Sequence, residues 1–320
     1  MNNNSILLTT YPDAFLHKGG GEYEILEVGL NLRKLGFTAD VYSPYSNSIE
    51  NYDNVLHFSV NESGLHIFKT VKKYVKNAIL WPNFWDIRES FEPSETIKKF
   101  IELSDLIVFK SNSEKEHFTN IFSIPPQKIL TIPVGVDPSF ATPPPPFLFR
   151  ESFKIHEYIL WIGIIEPIKN QLTAIKALKN IGIPLVFIGS YRDKSYFEAC
   201  KNAAPEDWLF LGPIEHKSDL FRAAISECRL YIEPSLEPAG KSALEACVCG
   251  AHLVVSDGVW EREQLGNAAI FVNPLSPDSI LKGVQQALEK TKNANLNKKI
   301  LEKHLYPNSL ANLVTAIKNL

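Results

Sequence analysis

Glu233-Pro234-Ser235-Leu236-Glu237-Pro238-Ala239-Gly240-Lys241-Ser242-Ala243-Leu244-Glu245, continuing through Cys249 to Gly250, is the stretch that decides how this chain folds. The largely apolar run Leu230–Glu233 reads as a strand, and Pro234, which has no N–H to give a sheet, ends it. A short loop carries Glu237 and Gly240, and a helix is expected from Lys241 to Cys249. Gly250 closes that helix, and a strand at His252–Ser256 follows at once. Working outward, strands are expected at Tyr158–Ile164, Pro184–Ile188 and Trp208–Leu211, alternating with helices at Gln171–Ile181, Tyr196–Ala203 and Lys217–Glu227. Such alternation builds a mainly parallel sheet covered on both faces, and these sheets bind ligands beyond the carboxyl ends of their strands. The loop from Pro234 to Gly240 lies at such an end.

The residue types in this loop suit a sugar nucleotide. Gly240 lets backbone approach a ligand closely, and the first N–H groups of the new helix face anionic oxygens. Lys241 and Ser242 add a positive charge and a hydroxyl at the same end. A carboxylate accepts two hydrogen bonds from neighbouring hydroxyls, the pattern a ribose diol or a sugar ring offers. Glu237 in the loop and Glu245 one turn into the helix supply two such groups. The blander reading of the pair is a helix with one capping acid and one solvated acid.

The frame around them, two glutamates separated by seven residues, with Pro234-Ser235-Leu236 before and Ala246-Cys247-Val248-Cys249-Gly250 after, resembles the signature of family 4 retaining glycosyltransferases. Pro238 and Ala239 depart from it, where the family commonly has a small residue and an aromatic one. The resemblance implies that Glu245 binds the donor ribose and Glu237 the hydroxyls of the transferred sugar, with Gly240, Lys241 and Ser242 at the diphosphate or sugar. Tyr158–Gln171 is similar to the family segment G-R-I-x-P-x-K-N, which places Gly163 at the donor and Lys169 at the diphosphate. The family's arginine falls on Ile164, so one of two expected diphosphate cations is missing. Gly19-Gly20-Gly21-Glu22 resembles the family's G-G-x-E loop, which implies that Gly20 and Gly21 approach the donor phosphates; a flexible loop without a ligand reads equally well. Thr131–Asp137 and Glu261–Pro274 track two further family segments. Many family members place an N-terminal histidine near the reacting sugar, but residues 78–86 hold none, so Asn83 or Asp86 stands in or the role is absent.

The N-terminal half reads less cleanly. Ser5–Tyr11 is expected as a strand, Gly19–Gly21 as a loop, and Ile25, Val28, Leu32 and Leu35 as the buried stripe of a helix that Gly36 stops. Phe37–Ser43, Val55–Val60, Ala78–Trp81, Asp105–Lys110 and Lys128–Pro133 are further strands, with helices at Ser94–Glu102 and Glu114–Phe122. Ala141–Phe147, with four consecutive prolines, is expected as a stiff interdomain linker. His57 and His66 lie too early in the pattern to react, and His57 and His252 read as packed or solvated. Cys247 and Cys249 read as packed thiols. The lysines of Lys69–Lys76 read as a solvated helix face, with membrane-surface or lipid-linked acceptor contact as the second reading.

Composition bounds the partners. With 320 residues, 45% apolar, 22% charged and a net charge of −3, the chain has globular values for two domains and no basic field for nucleic acid. No apolar run approaches the roughly 18–20 residues that span a bilayer, and the N-terminus lacks the layout of a signal peptide. The expected location is cytoplasmic, leaving room for peripheral contact at the inner face of a membrane.

The resemblance implies the GT-B fold: two Rossmann-like α/β domains whose parallel sheets face across a cleft. Residues 1–140 would take the acceptor, with 306–320 crossing back to them, and 148–305 would bind the nucleotide-diphosphate sugar. The implied function is retaining glycosyl transfer to a glycan or lipid-linked acceptor in surface polysaccharide or glycoconjugate assembly, with no cofactor and no bound metal. A weakened nucleotide-sugar-binding homologue acting as a partner subunit is the alternative from another class, and a phosphorylase or nucleotide-sugar-modifying enzyme the next. A dinucleotide dehydrogenase is set aside, because no G-x-G-x-x-G with a downstream acid is present.

Overall fold

The computed structural model describes residues 4–16, 19–84, 94–289 and 298–320. The chain divides into two compact units, residues 1–135 with 304–320, and 136–303.

The first unit runs β1 (Ser5–Thr9), α1 (Gly20–Lys34), β2 (Thr38–Val41), β3 (Asn54–Phe58), α2 (Leu65–Lys72), β4 (Asn77–Trp81), α3 (Glu95–Leu103), β5 (Leu106–Phe109), α4 (Asn112–Ile121) and β6 (Ile129–Thr131). Its six strands are all parallel, in the order β2-β1-β3-β4-β5-β6. Successive strand residues alternate between two cores, as the period of two requires. Ile6, Leu8, Leu56, Phe58, Ile79 and Trp81 pack with Ile25, Val28 and Leu32 of α1. Leu7, Val55, Ala78 and Leu80 pack on the opposite face with Phe68, Phe100 and Phe118. Of the two lysines of α2, Lys69 is exposed, while Lys72 lies beside the buried Phe68 and Val71 and pairs with Asp105.

The second unit opens with α5 (Leu148–Phe153) and continues β7 (Ile159–Ile162), α6 (Gln171–Leu178), β8 (Leu185–Ile188), α7 (Lys194–Ala203), β9 (Leu209–Leu211), α8 (Asp219–Glu227), β10 (Leu230–Glu233), α9 (Lys241–Val248), β11 (Leu253–Ser256), α10 (Val259–Leu265), β12 (Ala269–Val272) and α11 (Pro277–Leu288). Its strands are also all parallel, in the order β12-β11-β10-β7-β8-β9. A short α12 (Lys298–His304) leads to α13 (Ala311–Asn319). Tyr306, Leu310, Leu313 and Ile317 join the α1-side core of the first unit. Both sheets are the doubly wound parallel sheets expected of the GT-B fold.

Three local expectations need correction. Gly20 and Gly21 are not loop residues; they form the first turn of α1, which Gly19 caps with its N–H donating to Glu22 Oε2 at 2.7 Å. A Cβ at either would meet nothing within 4 Å, so their freedom is not needed for packing. Gly20→Ala is expected to stabilise the first unit by about 0.5–1 kcal/mol, a thermal-melt measurement, since alanine is the better helix former. The prolines of Ala141–Phe147 lie inside the second unit, and the division falls at Gly135–Val136. Arg222 Nη1 donates to the carbonyls of Ser139, just before the run, and Thr142, within it, tying this segment to α8. Finally, two strands end early because the chain turns there, β3 at Ser59 (φ 80°) and β7 at Gly163 (φ 153°).

Gly135 has a packing reason: a Cβ there would fall 2.0 Å from Cζ of the buried Tyr306.

Candidate functional site

In the second sheet the chain runs from β7 outward to β8 and β9, then crosses back to β10 on the other side of β7. The strand order reverses between β7 and β10, and the loops leaving their carboxyl ends flank the crevice where such folds take ligands. These are the two loops the sequence singles out, 163–170 and 234–240.

Their backbones are tied together. The N–H of Leu236 donates to the carbonyl of Ile168 at 2.9 Å. Asn170, in the left-handed region at φ 66°, donates from Nδ2 to the carbonyls of Pro234 (3.0 Å) and Pro274 (2.8 Å). Asparagine tolerates that backbone better than most residues. Lys169, held one residue earlier, reaches across to two carboxylates, Glu237 at 2.9 Å and Glu233 at 3.3 Å. Burial alone would lower the Lys169 pKa, but these two carboxylates outweigh it and hold the ammonium above the ordinary lysine value.

The first turn of α9 completes the arrangement. Gly240 caps it with extended backbone and donates its N–H to Glu233 Oε1 at 3.3 Å. Ser242 Oγ donates to Glu233 Oε2 at 3.2 Å. The Tyr231 hydroxyl donates to the same oxygen at 2.7 Å. Glu245, one turn on, is buried and pairs with His216 Nε2 at 2.9 Å. The His216 ring sits between Phe140 and Phe221, with centroids 5.5 and 5.3 Å away. From α10, Glu261 accepts the Ala239 N–H at 2.6 Å and fixes the loop's far side. Burial raises the Glu261 pKa, partly offset by that hydrogen bond.

The sequence-derived residues Lys169, Glu237, Gly240, Lys241, Ser242 and Glu245 thus lie along the loop and first turns that follow β10 or on the loop facing it, and Gly163 lies at the end of β7. Ile164, at the position of the family's arginine, carries no charge, and its carbonyl accepts from Gln171 Nε2. Glu233 and His216 were missed. Glu233 was counted as the last strand residue, and only its charge at a buried position of an otherwise apolar strand signalled a role. His216 comes from the loop after β9 and no spacing connects it to Glu245.

In the first unit, Glu22 accepts from the Tyr11 hydroxyl at 3.1 Å as well as from Gly19. Lys110, after β5, donates to Glu24 of α1 at 3.2 Å. Glu114, fully buried, accepts from the N–H groups of Lys110 (2.7 Å) and Phe84 (3.3 Å), and burial pushes its pKa up. Asn83, beside Phe84, has left-handed backbone at φ 48°. Asp86 lies outside the described residues. His57 is packed, His66 exposed and His252 half-buried. The four cysteines are free thiols, and burial pushes that of Cys247 up to about 12. Among the described residues, no group of three His, Cys, Asp or Glu side chains is arranged to hold a metal ion, and no helix is long and apolar enough to cross a membrane.

The family model described as glycosyl transferases group 1 matches residues 149–303. That match takes in most of the second unit and agrees with the family 4 resemblance, and the chain has the GT-B fold. The O-antigen chain mannosyltransferase B of Escherichia coli is 25% identical over 61% of this chain and 54% of its own length. An uncharacterized glycosyltransferase of Methanocaldococcus jannaschii is 28% identical over 66% of this chain and 59% of its own. The chain thus spans little more than half the length of these two curated relatives. Among solved structures, the Anabaena HepE protein in complex with UDP aligns over 99% of this chain and 100% of its own, with a TM-score of 0.79 and 14% identity.

Proposed function

We propose that this protein is a retaining glycosyltransferase that moves a sugar from a nucleotide-diphosphate donor to a glycan or lipid-linked acceptor. The observation that carries the reading is the meeting, at the strand-order reversal, of Lys169, Glu237 and the first turn of α9, with Glu245 one turn deeper. Lys169 would offset the charge that builds on the diphosphate as it leaves, an electrostatic contribution made by a group already in place. Glu237, partly exposed, would take sugar hydroxyls, and the buried Glu245 the ribose diol. Gly20 and Gly21 would approach the phosphates from the first helix, and Gly163 would border the donor from β7. The reaction so read needs no resident cofactor or metal.

The name of the Escherichia coli relative supports a place in surface polysaccharide assembly; a cytoplasmic location, with peripheral contact at the inner face of a membrane, is part of the same proposal. The UDP complex of the Anabaena neighbour supports a nucleotide donor. A second reading, a nucleotide-sugar-binding partner subunit of reduced activity, is favoured by Ile164 and by the two carboxylates that already share Lys169.

A thermal-shift panel of UDP, GDP, ADP, CMP and their sugar conjugates, run on wild type and Glu245→Ala, tests the site. A ligand at 100 times its dissociation constant adds about 2.7 kcal/mol, a shift of several degrees. One nucleotide should stabilise wild type and leave the variant unmoved. A panel that shifts nothing in the wild type sinks the assignment. Binding without turnover on any glycan or lipid-linked acceptor moves the second reading to first place.

A further inference from the structure

Glu233 is the most enclosed charge of the site, with its side chain 1% exposed. Among the described residues its carboxylate meets four donors: Lys169 Nζ and Gly240 N–H on Oε1, both at 3.3 Å, and Ser242 Oγ and Tyr231 hydroxyl on Oε2, at 3.2 and 2.7 Å. Three of these, the ammonium, the capping N–H and the serine hydroxyl, are the groups that would meet a diphosphate. The carboxylate stands at the positive end of α9, where an anion is favoured. Burial, then the Glu233 charge, raises the Tyr231 pKa well above its usual value, so that hydroxyl stays a donor.

We propose that Glu233 is an internal counter-anion of the donor site, a positioning residue that holds Lys169, Gly240 and Ser242 in place and competes with the donor's diphosphate for them. The inference rests on reading this crevice as a nucleotide-sugar site. It follows from charge: Lys169 faces two carboxylates, Ile164 supplies no second cation, and an incoming diphosphate meets a fixed negative group among the donors it needs. In a low-dielectric setting such a charge acts strongly over several ångströms. Glu233 therefore weakens binding of diphosphates and eases their release, while giving the largely buried Lys169 a second carboxylate beside Glu237.

Glu233→Gln separates these roles. The amide oxygen can accept from Lys169 and Gly240, and the amide nitrogen can donate to the Tyr231 and Ser242 hydroxyls, which rotate to accept. Dissociation constants would be measured by calorimetry for UDP, GDP and ADP and for the matching nucleoside monophosphates, on wild type, Glu233→Gln and Glu245→Ala. The expected result is diphosphate binding at least tenfold tighter in Glu233→Gln, a change of about 1.4 kcal/mol, with a smaller gain for monophosphates. A purely structural role for Glu233 would weaken both classes alike. Diphosphate affinity that is unchanged or reduced in the folded variant overturns the proposal while leaving the site reading intact. Loss of all nucleotide binding in wild type and variant overturns both, whereas binding to Glu233→Gln alone supports both. Should Glu233→Gln fail to fold, Glu233→Asp retains the charge but withdraws it by one methylene from Lys169 and Gly240. It should tighten diphosphates by about threefold, and no tightening there counts against the proposal equally.

Discussion

Gly189→Ala is expected to lower the stability of the second unit by about 3–5 kcal/mol, combining overpacking with backbone strain. Gly189 follows β8 with φ 153°, a backbone that L side chains rarely adopt. A Cβ there would fall 2.1 Å from the carbonyl oxygen of Gly163 and 2.8 Å from its carbonyl carbon. Both obstacles are backbone atoms at the end of β7, so no side chain can rotate away; the two strand ends must part. Gly182→Ala is the control. It too has positive φ, 78°, but a Cβ would meet nothing within 4 Å, so only the conformational cost of about 1 kcal/mol remains. Thermal melts should show a drop for Gly189→Ala of about 10 °C or more and a much smaller one for Gly182→Ala. Equal drops would mean that the strand ends yield freely and that the approach of Gly163 to Gly189 does not constrain the donor loop.

Acid is expected to unfold the first unit through His57. This residue is fully buried on β3, with Nδ1 2.8 Å from Thr9 Oγ1 and its ring between Phe68 and Phe100. Burial lowers its pKa from 6.5 to about 3. Below pH 6.5 the unfolded chain takes up a proton that the folded one refuses, so stability is present above that pH and lost as pH falls. The loss runs at about 1.4 kcal/mol per pH unit until the folded value is reached, or about 3 kcal/mol by pH 4.5. Urea unfolding of wild type and His57→Gln at pH 7.0, 5.5 and 4.5 checks this. The variant, whatever its absolute stability, should lack that part of the slope; parallel curves would mean His57 is already charged in the folded state.

Much of this architecture was legible before any coordinates, for identifiable reasons. Strands such as Leu185–Ile188 and Leu253–Ser256 are apolar runs, the second ending in a serine, buried on both faces, and glycines or prolines punctuate them. The loop after β10 could be placed because Pro234, Gly240 and Gly250 each fix a boundary by backbone chemistry alone. What was not legible depends on tertiary contact. Gly20 and Gly21 read as a loop because glycine disfavours helices, yet the Glu22 cap and the buried stripe of α1 carry the helix through them. The prolines at 143–146 read as a linker because composition cannot reveal that Arg222, on a distant helix, takes their neighbours' carbonyls. The pairing of His216 with Glu245 brings the loop after β9 onto α9, 29 residues on, and nothing in either segment's own pattern announces the other. Ala269–Val272, within the Glu261–Pro274 segment, forms the edge strand β12, only four residues long and mostly half-buried.

The first unit is interrupted in sequence by the second, and this orders events during synthesis. Ile6, Leu8, Val28 and Leu32 share their core with Tyr306, Leu310, Leu313 and Ile317. The intervening unit, 136–303, is continuous and has all its residues to hand as soon as it leaves the ribosome. At about 5–20 residues per second, the apolar face above β1 stays uncovered for on the order of ten to thirty seconds while that unit is made. Chaperones that shield nascent apolar surface therefore have their longest task at the amino-terminal half. The unit begun first is completed last.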